Sequence, residues 1–265
     1  MLKLSKIPRS TYYYHYKQSK KDKYLIEKQV IQDIFTKNKG IYGYRRITNE
    51  LKNQGYVINH KTVFKLMRSL DLKGKQPKEK YHSYKGEVGK IAKNLLDRKF
   101  TANNPFEKLT TDVTQFNVCG DKVYLSPIMD LFNREIISYS ISESPNLLQI
   151  REMMDGLFKR LPSNSKPILH SDQGWQYQHN EYVNSLREHN IIQSMSRKGN
   201  CMDNGAMENF FGRLKVEMFY GEKFESTSTF IKKLEEYIDY YNNVRIVSKL
   251  KMSPVQYRTH LYNSI

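Results

Sequence analysis

Three acidic residues, Asp112, Asp172 and Glu208, occur in segments whose residue types suit metal-dependent chemistry. They lie in the stretches TTDVTQF, HSDQGWQY and DNGAMENFFGRLK, with 59 residues between the first two and 35 between the last two. Carboxylates from three separate elements can hold two divalent cations about 4 Å apart, which suits in-line displacement at phosphorus. A single Asp or Glu is more often a turn or surface residue, so the hypothesis depends on the three acting together.

A lysine follows the third carboxylate at helical spacing. Glu208 borders an apolar stripe that predicts a helix over 203–219. The stripe consists of Met207, Phe210, Phe211, Leu214 and Met218. Lys215 comes two helical turns after Glu208 and is expected on nearly the same face, about 10 Å away. The carboxylate would then hold a metal ion and the ammonium a DNA phosphate, while Gly212 between them leaves room for a backbone to approach.

The basic charge of the chain is concentrated in its first 100 residues. The 265 residues carry 44 Lys and Arg against 27 Asp and Glu, a net charge of +17. Residues 1–100 hold 25 of the basic residues and 8 of the acidic ones, whereas residues 101–265 hold 19 of each. Such a one-sided excess is typical of a protein that binds a polyanion. We interpret that polyanion as DNA; the charge alone also fits RNA, anionic lipid or a solvated basic surface.

Composition argues against two other classes of protein. The sequence has no run of about 18 apolar residues and no apolar signal region within residues 1–25, so neither a membrane partner nor secretion is expected. Cys119 and Cys201 are far apart and fit no ligand spacing, which argues against a disulfide framework and against a structural zinc site. These features predict a cytoplasmic protein with two reduced thiols.

Residues 1–71 are predicted to form a small all-α, helix-turn-helix-like DNA-binding region. Apolar residues recur at helical spacing over 24–37, a second helix opens at Gly43, and Asn59 is a suitable N-cap for a third helix. The third helix is expected to carry the apolar residues Val63, Phe64, Met67 and Leu70. The candidate DNA contacts are basic residues of the second and third helices, namely Arg45, Arg46, Lys61, Lys65 and Arg68. The spacing by itself fits a protein-binding three-helix unit equally well.

The rest of the chain is divided into a basic linker over 72–104, a catalytic core over 105–220 and a helical extension over 221–265. From residue 107 three β-rich runs are followed by alternating helical and strand patterns, which predicts an α/β fold with a mixed five-stranded sheet and flanking helices. Asp112 is expected inside the first strand and Asp172 at the end of the fourth strand. Because these strands would be neighbours, the two aspartates would meet at one end of the sheet.

Several residues near these motifs have competing or structural interpretations. His170 could assist proton transfer or be a structural imidazole at a strand end. The segment YYNNVR could contact DNA through Arg245 or contribute its tyrosines to the core. Pro127 predicts a bulge or an edge position in the second strand. Asp130 is interpreted as structural, and residues 91–100 are predicted to form a short helix.

From about residue 40 to its end, the chain resembles the DDE transposases of bacterial insertion sequences, in the group with an integrase-like core and two overlapping reading frames. The matching stretches are YGYRRI, TTDVTQF, YLSPIMDLFNREI, LHSDQGWQY, RKGNCMDNGAMENFFGRLK and YYNNVRIVSKLKMSPVQYR. The 35 residues between Asp172 and Glu208, and the lysine seven residues after Glu208, also fit the family's motif. The resemblance implies the product of the second reading frame.

The resemblance implies an RNase H-like fold in which Asp112, Asp172 and Glu208 bind two ions of Mg²⁺ or Mn²⁺. It also implies that Lys215 contacts transposon-end DNA. The reaction would free a 3′-OH by strand cleavage and then join that 3′-OH to target DNA. A homo-oligomer on DNA is expected by the same analogy, with the first-reading-frame protein as a further partner.

Two other functions stay open from the sequence. A chain without turnover could bind DNA and regulate transposition, and a metal-dependent nuclease would hydrolyse DNA without joining it. A tyrosine recombinase fits less well, because no cluster of Arg and His residues surrounds one Tyr in the sequence.

Overall fold

The computed structural model of the chain describes residues 8–19, 22–75, 91–197 and 201–262. Residues 76–90 of the predicted linker lie outside the described residues. The chain divides into two compact units, residues 1–75 and residues 76–265, each with buried apolar residues of its own.

The first unit consists of helices. Those that the structure describes are α1 (Arg9–Ser19), α2 (Leu25–Lys37), α3 (Tyr44–Asn53) and α4 (His60–Ser69). The apolar faces of α2, α3 and α4 meet in a small core that contains Ile31, Ile34, Ile47, Leu51, Val63 and Met67. The Asn59 side chain accepts a hydrogen bond from the Lys61 N–H at 2.8 Å and caps α4, as predicted. The all-helical character of this region is confirmed.

Phe64, one of the apolar residues predicted on the third helix, does not lie in the core of the first unit. Its side chain is 50% exposed, whereas Leu66 and Met67 are buried. With Val63 these two residues form an inward stripe at helical spacing, which leaves Phe64 on the outer face. The Phe64 ring packs edge-on against Tyr44 of α3, with 5.3 Å between the ring centres. The outer face of α4 therefore carries an aromatic ring among its basic residues.

The second unit is built on one mixed β-sheet. Its strands within the described residues are β1 (Lys108–Thr111), β2 (Thr114–Val118), β3 (Asp121–Asp130), β4 (Ile136–Ser142), β5 (Ile168–Ser171) and β6 (Ile192–Met195). β3 pairs antiparallel with β1, β2 and β4, while β5 pairs parallel with both β1 and β6. The first predicted strand is split into β1 and β2 at Asp112 and Val113, so the described sheet has six strand segments where five strands were predicted. The mixed α/β architecture is confirmed.

Pro127 lies within β3, next to an irregularity in the pairing. β3 has partners on both sides, so the edge position proposed for Pro127 is wrong. The register with β4 shifts between Ile128 and Met129, one residue beyond the proline. Because proline has no N–H to donate to a ladder, a local irregularity accommodates it inside a sheet. The bulge alternative is the one that the structure supports.

The second unit also contains helices. In the described residues they are α5 (Leu147–Phe158), α6 (Trp175–Gln178), α7 (Asn180–Glu188), α8 (Gly205–Leu214), α9 (Thr227–Asn243) and α10 (Pro254–Tyr262). α8 follows a 3₁₀ turn at Cys201–Asn204 and continues into a π-helical segment at Lys215–Phe219. The helix predicted over 203–219 is therefore present but changes its hydrogen-bonding pattern at Lys215. None of the helices in the described part of the chain is long and apolar enough to cross a membrane.

Two hydrophobic clusters cover the two faces of the sheet. On β3, Leu125 and Met129 belong to one cluster and Ile128 to the other, as the alternation of side chains along a strand requires. The first cluster includes residues of α8 and α9, and the second includes residues of α5 and α7. The second unit is thus a sheet between two helical layers, the arrangement expected of an RNase H-like core.

Residues 91–100 run beside β6 and do not form the predicted short helix. The Leu95 N–H donates to the Ser194 hydroxyl at 2.9 Å, and the Lys93 carbonyl accepts from the Met195 N–H at 3.4 Å. Leu96 is buried. The segment therefore covers part of the strand edge that β6 presents, which protects that edge from pairing with other chains.

Candidate active site

Asp112 and Asp172 lie at the carboxyl ends of two neighbouring parallel strands. β1 and β5 pair in a register that sets Thr110 opposite His170, and each aspartate lies two residues further along. Their predicted proximity therefore follows directly from strand pairing. The prediction that Asp112 lies inside a strand is wrong. Asp112 lies in the interruption between β1 and β2. There its Oδ1 accepts a hydrogen bond from the Val113 N–H at 2.8 Å.

Glu208 reaches the same end of the sheet from α8. It lies in the first turn of that helix. Asn204, the residue before α8, hydrogen-bonds to Thr110 and Thr111 of β1, so the helix begins against the strand that leads into Asp112. Asp112, Asp172 and Glu208 are each half-buried residues.

The charges of these groups interact. Burial and then the negative charge of Asp172 raise the pKa of Asp112 well above its usual range. Glu208 adds to this rise, whereas a backbone N–H and the Lys215 ammonium oppose it. Burial also raises the pKa of Asp172 and that of Glu208. The structure thus gathers negative charge that the neighbouring protein groups only partly balance.

Lys215 lies at the edge of this carboxylate cluster. It directly follows α8, and its ammonium lies 5.4 Å from the centre of the Phe116 ring. Burial lowers the pKa of Lys215, and the charge of Asp112 acts in the opposite direction. The interaction with Asp112 shows that the lysine predicted to act with Glu208 lies within electrostatic reach of the cluster.

Two buried tyrosines that the sequence patterns do not single out lie within electrostatic reach of the aspartates. Tyr177 and Tyr182 are buried, with 5.4 Å between their ring centres. Burial raises the pKa of Tyr177 well above its usual range, and the charges of Asp112 and Asp172 raise it further. Burial and the charge of Asp172 likewise raise the pKa of Tyr182. Both phenols therefore stay protonated, which does not suit a tyrosine nucleophile.

His170 has a structural role. Its imidazole is buried, with Nδ1 hydrogen-bonded to the Ser194 hydroxyl at 2.8 Å and Nε2 to the Ser196 hydroxyl at 3.1 Å. Burial lowers the pKa of His170 to about 4, so the ring is neutral near pH 7. Because both nitrogens are occupied within the sheet, the proton-transfer interpretation is not supported.

The donor set suits hard divalent cations. Three carboxylates offer only oxygen ligands, which Mg²⁺ and Mn²⁺ prefer. The charges of Asp172 and Glu208 help to raise the pKa of Asp112, and a bound cation would compensate this repulsion. Among the described residues, no three His, Cys, Asp or Glu side chains converge tightly enough to bind a single ion together. A pair of ions does not require this, because each ion can be held by two of the three carboxylates.

The basic residues predicted on the first unit lie at its surface to different degrees. Lys61, Lys65 and Arg68 are exposed along one face of α4, as predicted. Arg45 is also exposed, whereas Arg46 is half-buried with its guanidinium over a tyrosine ring. The exposed face of α4 is therefore open to a partner, and the side chain of Arg46 packs partly against its own unit.

Three residues outside the cluster are structural. Arg245 is buried and pairs with Glu217, so its interpretation as a DNA contact is wrong and the core-packing alternative holds. Tyr241 of the same segment also lies in the core. Asp130 is buried and accepts two backbone hydrogen bonds, which agrees with its interpretation as structural.

Three family models match the chain. One is described as an HTH-like domain and matches residues 21–80. The other two are each described as an integrase core domain and match residues 102–201 and 208–261. The integrase-core matches between them include Asp112, Asp172 and Glu208.

Several relatives are named as transposases. Transposase InsK of the insertion sequence element IS150 from Escherichia coli (strain K12) is 52% identical over 264 residues, which cover 99% of this chain and 93% of that protein. A transposase-like protein of Haemophilus influenzae is 58% identical over 207 residues, 78% of this chain and 95% of that protein. Transposase InsF of IS3A from Escherichia coli is 35% identical over 214 residues, 79% of this chain and 73% of that protein.

Among solved structures, a chain of the simian T-cell lymphotropic virus intasome has a TM-score of 0.48 at 14% identity, over 75% of this chain and 66% of that chain. The curated relatives match over most of their length at much higher identity, which confirms the resemblance carried by the sequence motifs. The chain belongs to the transposases of bacterial insertion sequences that carry an HTH-like domain and an integrase core domain.

Proposed function

We propose that the second unit cleaves DNA at the ends of an insertion sequence and joins the freed 3′-OH to target DNA, with Asp112, Asp172 and Glu208 as its catalytic residues. The observation that supports this proposal most is the shared register of β1 and β5, which sets Asp112 beside Asp172. α8 brings Glu208 to the same place, and the relatives named as transposases support the class of reaction.

The three carboxylates are proposed to hold two ions of Mg²⁺ or Mn²⁺. When bound, such ions activate a water or a 3′-OH and neutralise charge on phosphate oxygens. Asp112 interacts electrostatically with both Asp172 and Glu208, so it is the carboxylate best placed to be shared. The chain's contribution is to keep oxygen ligands at fixed positions on two strand ends and one helix.

Lys215 is proposed to bind a phosphate of transposon-end DNA. Gly212 lies between Glu208 and Lys215, and no atom of the described residues outside its own helix backbone and chain neighbours lies within 4 Å of where a Cβ would stand. A DNA backbone can therefore approach α8 closely at this point. An ammonium beside the carboxylates would fix the position of the phosphodiester that reacts.

The first unit is proposed to bind DNA through the exposed face of α4. Lys61, Lys65 and Arg68 would contact phosphates, and Arg45 and Arg46 would contribute from the start of α3. Phosphate contacts of this kind fix register and orientation without reading sequence. A helix with such a face fits the major groove.

Assembly and location are proposed by family analogy. Joining paired transposon ends calls for more than one active site, so a homo-oligomer on DNA is expected. The first-reading-frame protein is a further proposed partner. The bacterial cytoplasm, where the element's DNA lies, is the proposed location.

A supercoiled plasmid that carries two element ends tests the catalytic proposal. With wild-type chain and Mg²⁺ it should yield cleaved ends and joined products. Asp112→Asn, Asp172→Asn and Glu208→Gln should each abolish both products while DNA binding is retained. The matched controls Asp121→Asn and Glu235→Gln change exposed carboxylates on a strand and on a helix, and they should behave like wild type.

Other outcomes identify the alternative functions. DNA binding by wild type without any cleavage would identify a regulator of transposition. Cleaved ends that are never joined would identify a nuclease. Products that persist in Asp112→Asn would contradict the assignment of the catalytic carboxylates.

A further inference from the structure

We propose that Asn204 is a positioning residue that fixes Glu208 relative to Asp112. The inference rests on the proposed function, because the importance of this placement comes from the carboxylate cluster. Asn204 itself is 3% exposed and does not reach solvent, so it is not a catalytic residue.

The carboxamide of Asn204 is bonded at both ends to β1. Its Nδ2 donates to the Thr111 carbonyl at 3.1 Å, and its Oδ1 accepts a hydrogen bond from the Thr110 hydroxyl. Thr110 and Thr111 are the last two residues before Asp112. One side chain therefore holds the strand at the point where the regular ladder stops.

The same side chain sets the starting point of α8. Asn204 is the residue before Gly205, and Glu208 follows four residues later, about one helical turn and 6 Å along the axis. A shift of the helix start would move the Glu208 carboxylate by a similar amount. The two hydrogen bonds of Asn204 thus connect the backbone that carries Asp112 with the backbone that carries Glu208.

The turn before α8 is anchored independently of Asn204. The neighbouring Asp203 is fully buried and accepts hydrogen bonds from Arg98, from Asn94 and from the backbone and side chain of Arg197. These contacts hold the turn to other parts of the second unit. Loss of the Asn204 carboxamide is therefore expected to loosen the start of α8 against β1 without unfolding the turn.

Asn242 provides a matched control. Its Nδ2 donates to the Ile136 carbonyl at 3.0 Å, and its Oδ1 accepts from the Ile136 N–H at 2.9 Å. Asn242 thus joins α9 to β4 through both ends of its carboxamide, as Asn204 joins the start of α8 to β1, although both partners of Asn242 are backbone groups. Asn242→Ala removes an equivalent connection from an element pair that carries none of the three carboxylates.

The experiment compares Asn204→Ala with Asn242→Ala in the full chain. Both variants should lose thermal stability. Only Asn204→Ala should speed hydrogen exchange in the first turn of α8, weaken Mn²⁺ binding by about tenfold or more, and lower kcat for strand transfer while KM for DNA is unchanged. Mn²⁺ binding can be followed by electron paramagnetic resonance without any turnover.

If Asn204→Ala does not fold, Thr110→Val tests whether the hydrogen bonds of Asn204 position Glu208. This change removes only the hydroxyl bonded to Asn204 and keeps a β-branched side chain in β1. Thr110→Val should also weaken Mn²⁺ binding and speed hydrogen exchange in the first turn of α8, but by less than Asn204→Ala does. The proposal would be overturned if the soluble variants among Asn204→Ala and Thr110→Val showed the same Mn²⁺ affinity and the same hydrogen exchange in α8 as Asn242→Ala.

Failure of the proposed function gives a different result. If the wild-type chain binds Mn²⁺ but joins no DNA, the proposed strand-transfer function is contradicted. The weaker Mn²⁺ binding of Asn204→Ala would still establish the positioning role. A wild-type chain that binds no Mn²⁺ would overturn both proposals.

Discussion

Arg245 and Glu217 form a bidentate ion pair in the interior of the second unit. Nε of Arg245 lies 2.6 Å from one carboxylate oxygen of Glu217, and an Nη atom lies 2.6 Å from the other. The Tyr237 hydroxyl donates to the same carboxylate at 2.8 Å. Glu217 belongs to the π-helical segment that begins at Lys215, so the pair ties the C-terminal part of the chain to the segment that carries the proposed DNA-contacting lysine.

Removal of Glu217 should be strongly destabilising. Glu217→Gln leaves Arg245 buried without a counter-charge, which costs about 3–5 kcal/mol of unfolding free energy. Denaturant unfolding measures this loss. The matched control is Glu181→Gln, which breaks the exposed ion pair with Arg151 and should change stability little. Equal losses in the two variants would show that the buried pair does not have this role.

His170 should make the fold less stable in acid. Its pKa in the folded state, about 4, lies below the ordinary value of 6.5, so the unfolded chain binds the proton more readily. The stabilisation is present above pH 6.5 and is lost as the pH falls towards 4, by up to about 3 kcal/mol. His170→Asn should flatten this part of the pH profile.

The quantity to measure in that experiment is the difference in unfolding free energy between wild type and His170→Asn at each pH. Burial raises the pKa of Asp130 to about 6, which contributes stability in the opposite direction over part of the same range. Subtracting the two profiles cancels the contribution of Asp130. His179→Asn changes an exposed histidine and is the control. Parallel profiles for wild type and His170→Asn would contradict the prediction.

Gly212→Ala should separate folding from activity. The substitution adds a methyl group to a helix at a point open to solvent, which should stabilise the fold by up to about 1 kcal/mol. If DNA passes close to α8 here, strand transfer should nevertheless fall. Gly156→Ala is the contrasting variant, because its new Cβ would collide with the Ser138 side chain and destabilise the fold. Full activity in Gly212→Ala would place the DNA elsewhere.

The basic face of α4 should contribute to DNA affinity through phosphate contacts. Alanine at Lys61, Lys65 or Arg68 should weaken binding of all sequences alike and reduce the slope of log affinity against log salt by about one unit each. Fluorescence anisotropy at several salt concentrations measures both quantities. Lys37→Ala, at an exposed position on α2, is the control. An unchanged slope in all three variants would exclude α4 as the contact surface.

Local patterns predict most of the elements correctly. Helical spacing gives α2 and α3, and the Asn59 cap marks the start of α4. The run of strands and helices gives the mixed sheet, and the position of Asp172 after β5 follows from it. These features depend on residues close together in sequence, which is why they can be predicted from it.

The errors concern contacts between distant residues. The split of the first strand at Asp112 depends on how β1 and β2 pair with β3. The ion pair of Arg245 and the two bonds of Asn204 join elements that no periodicity connects. Such contacts require the tertiary structure.

Replacing Asp112 or Asp172 by cysteine tests most directly whether these side chains hold the divalent cations used in strand transfer. A thiolate is a poor ligand for Mg²⁺, a hard cation, and a more acceptable one for Mn²⁺. Asp112→Cys and Asp172→Cys should therefore lose about a thousandfold in strand-transfer rate with Mg²⁺ and recover much of it with Mn²⁺. Asp121→Cys, at an exposed position on β3, should keep the wild-type rate with both metals. A wild-type rate with Mg²⁺ in either Asp112→Cys or Asp172→Cys would contradict a metal-binding role for that residue.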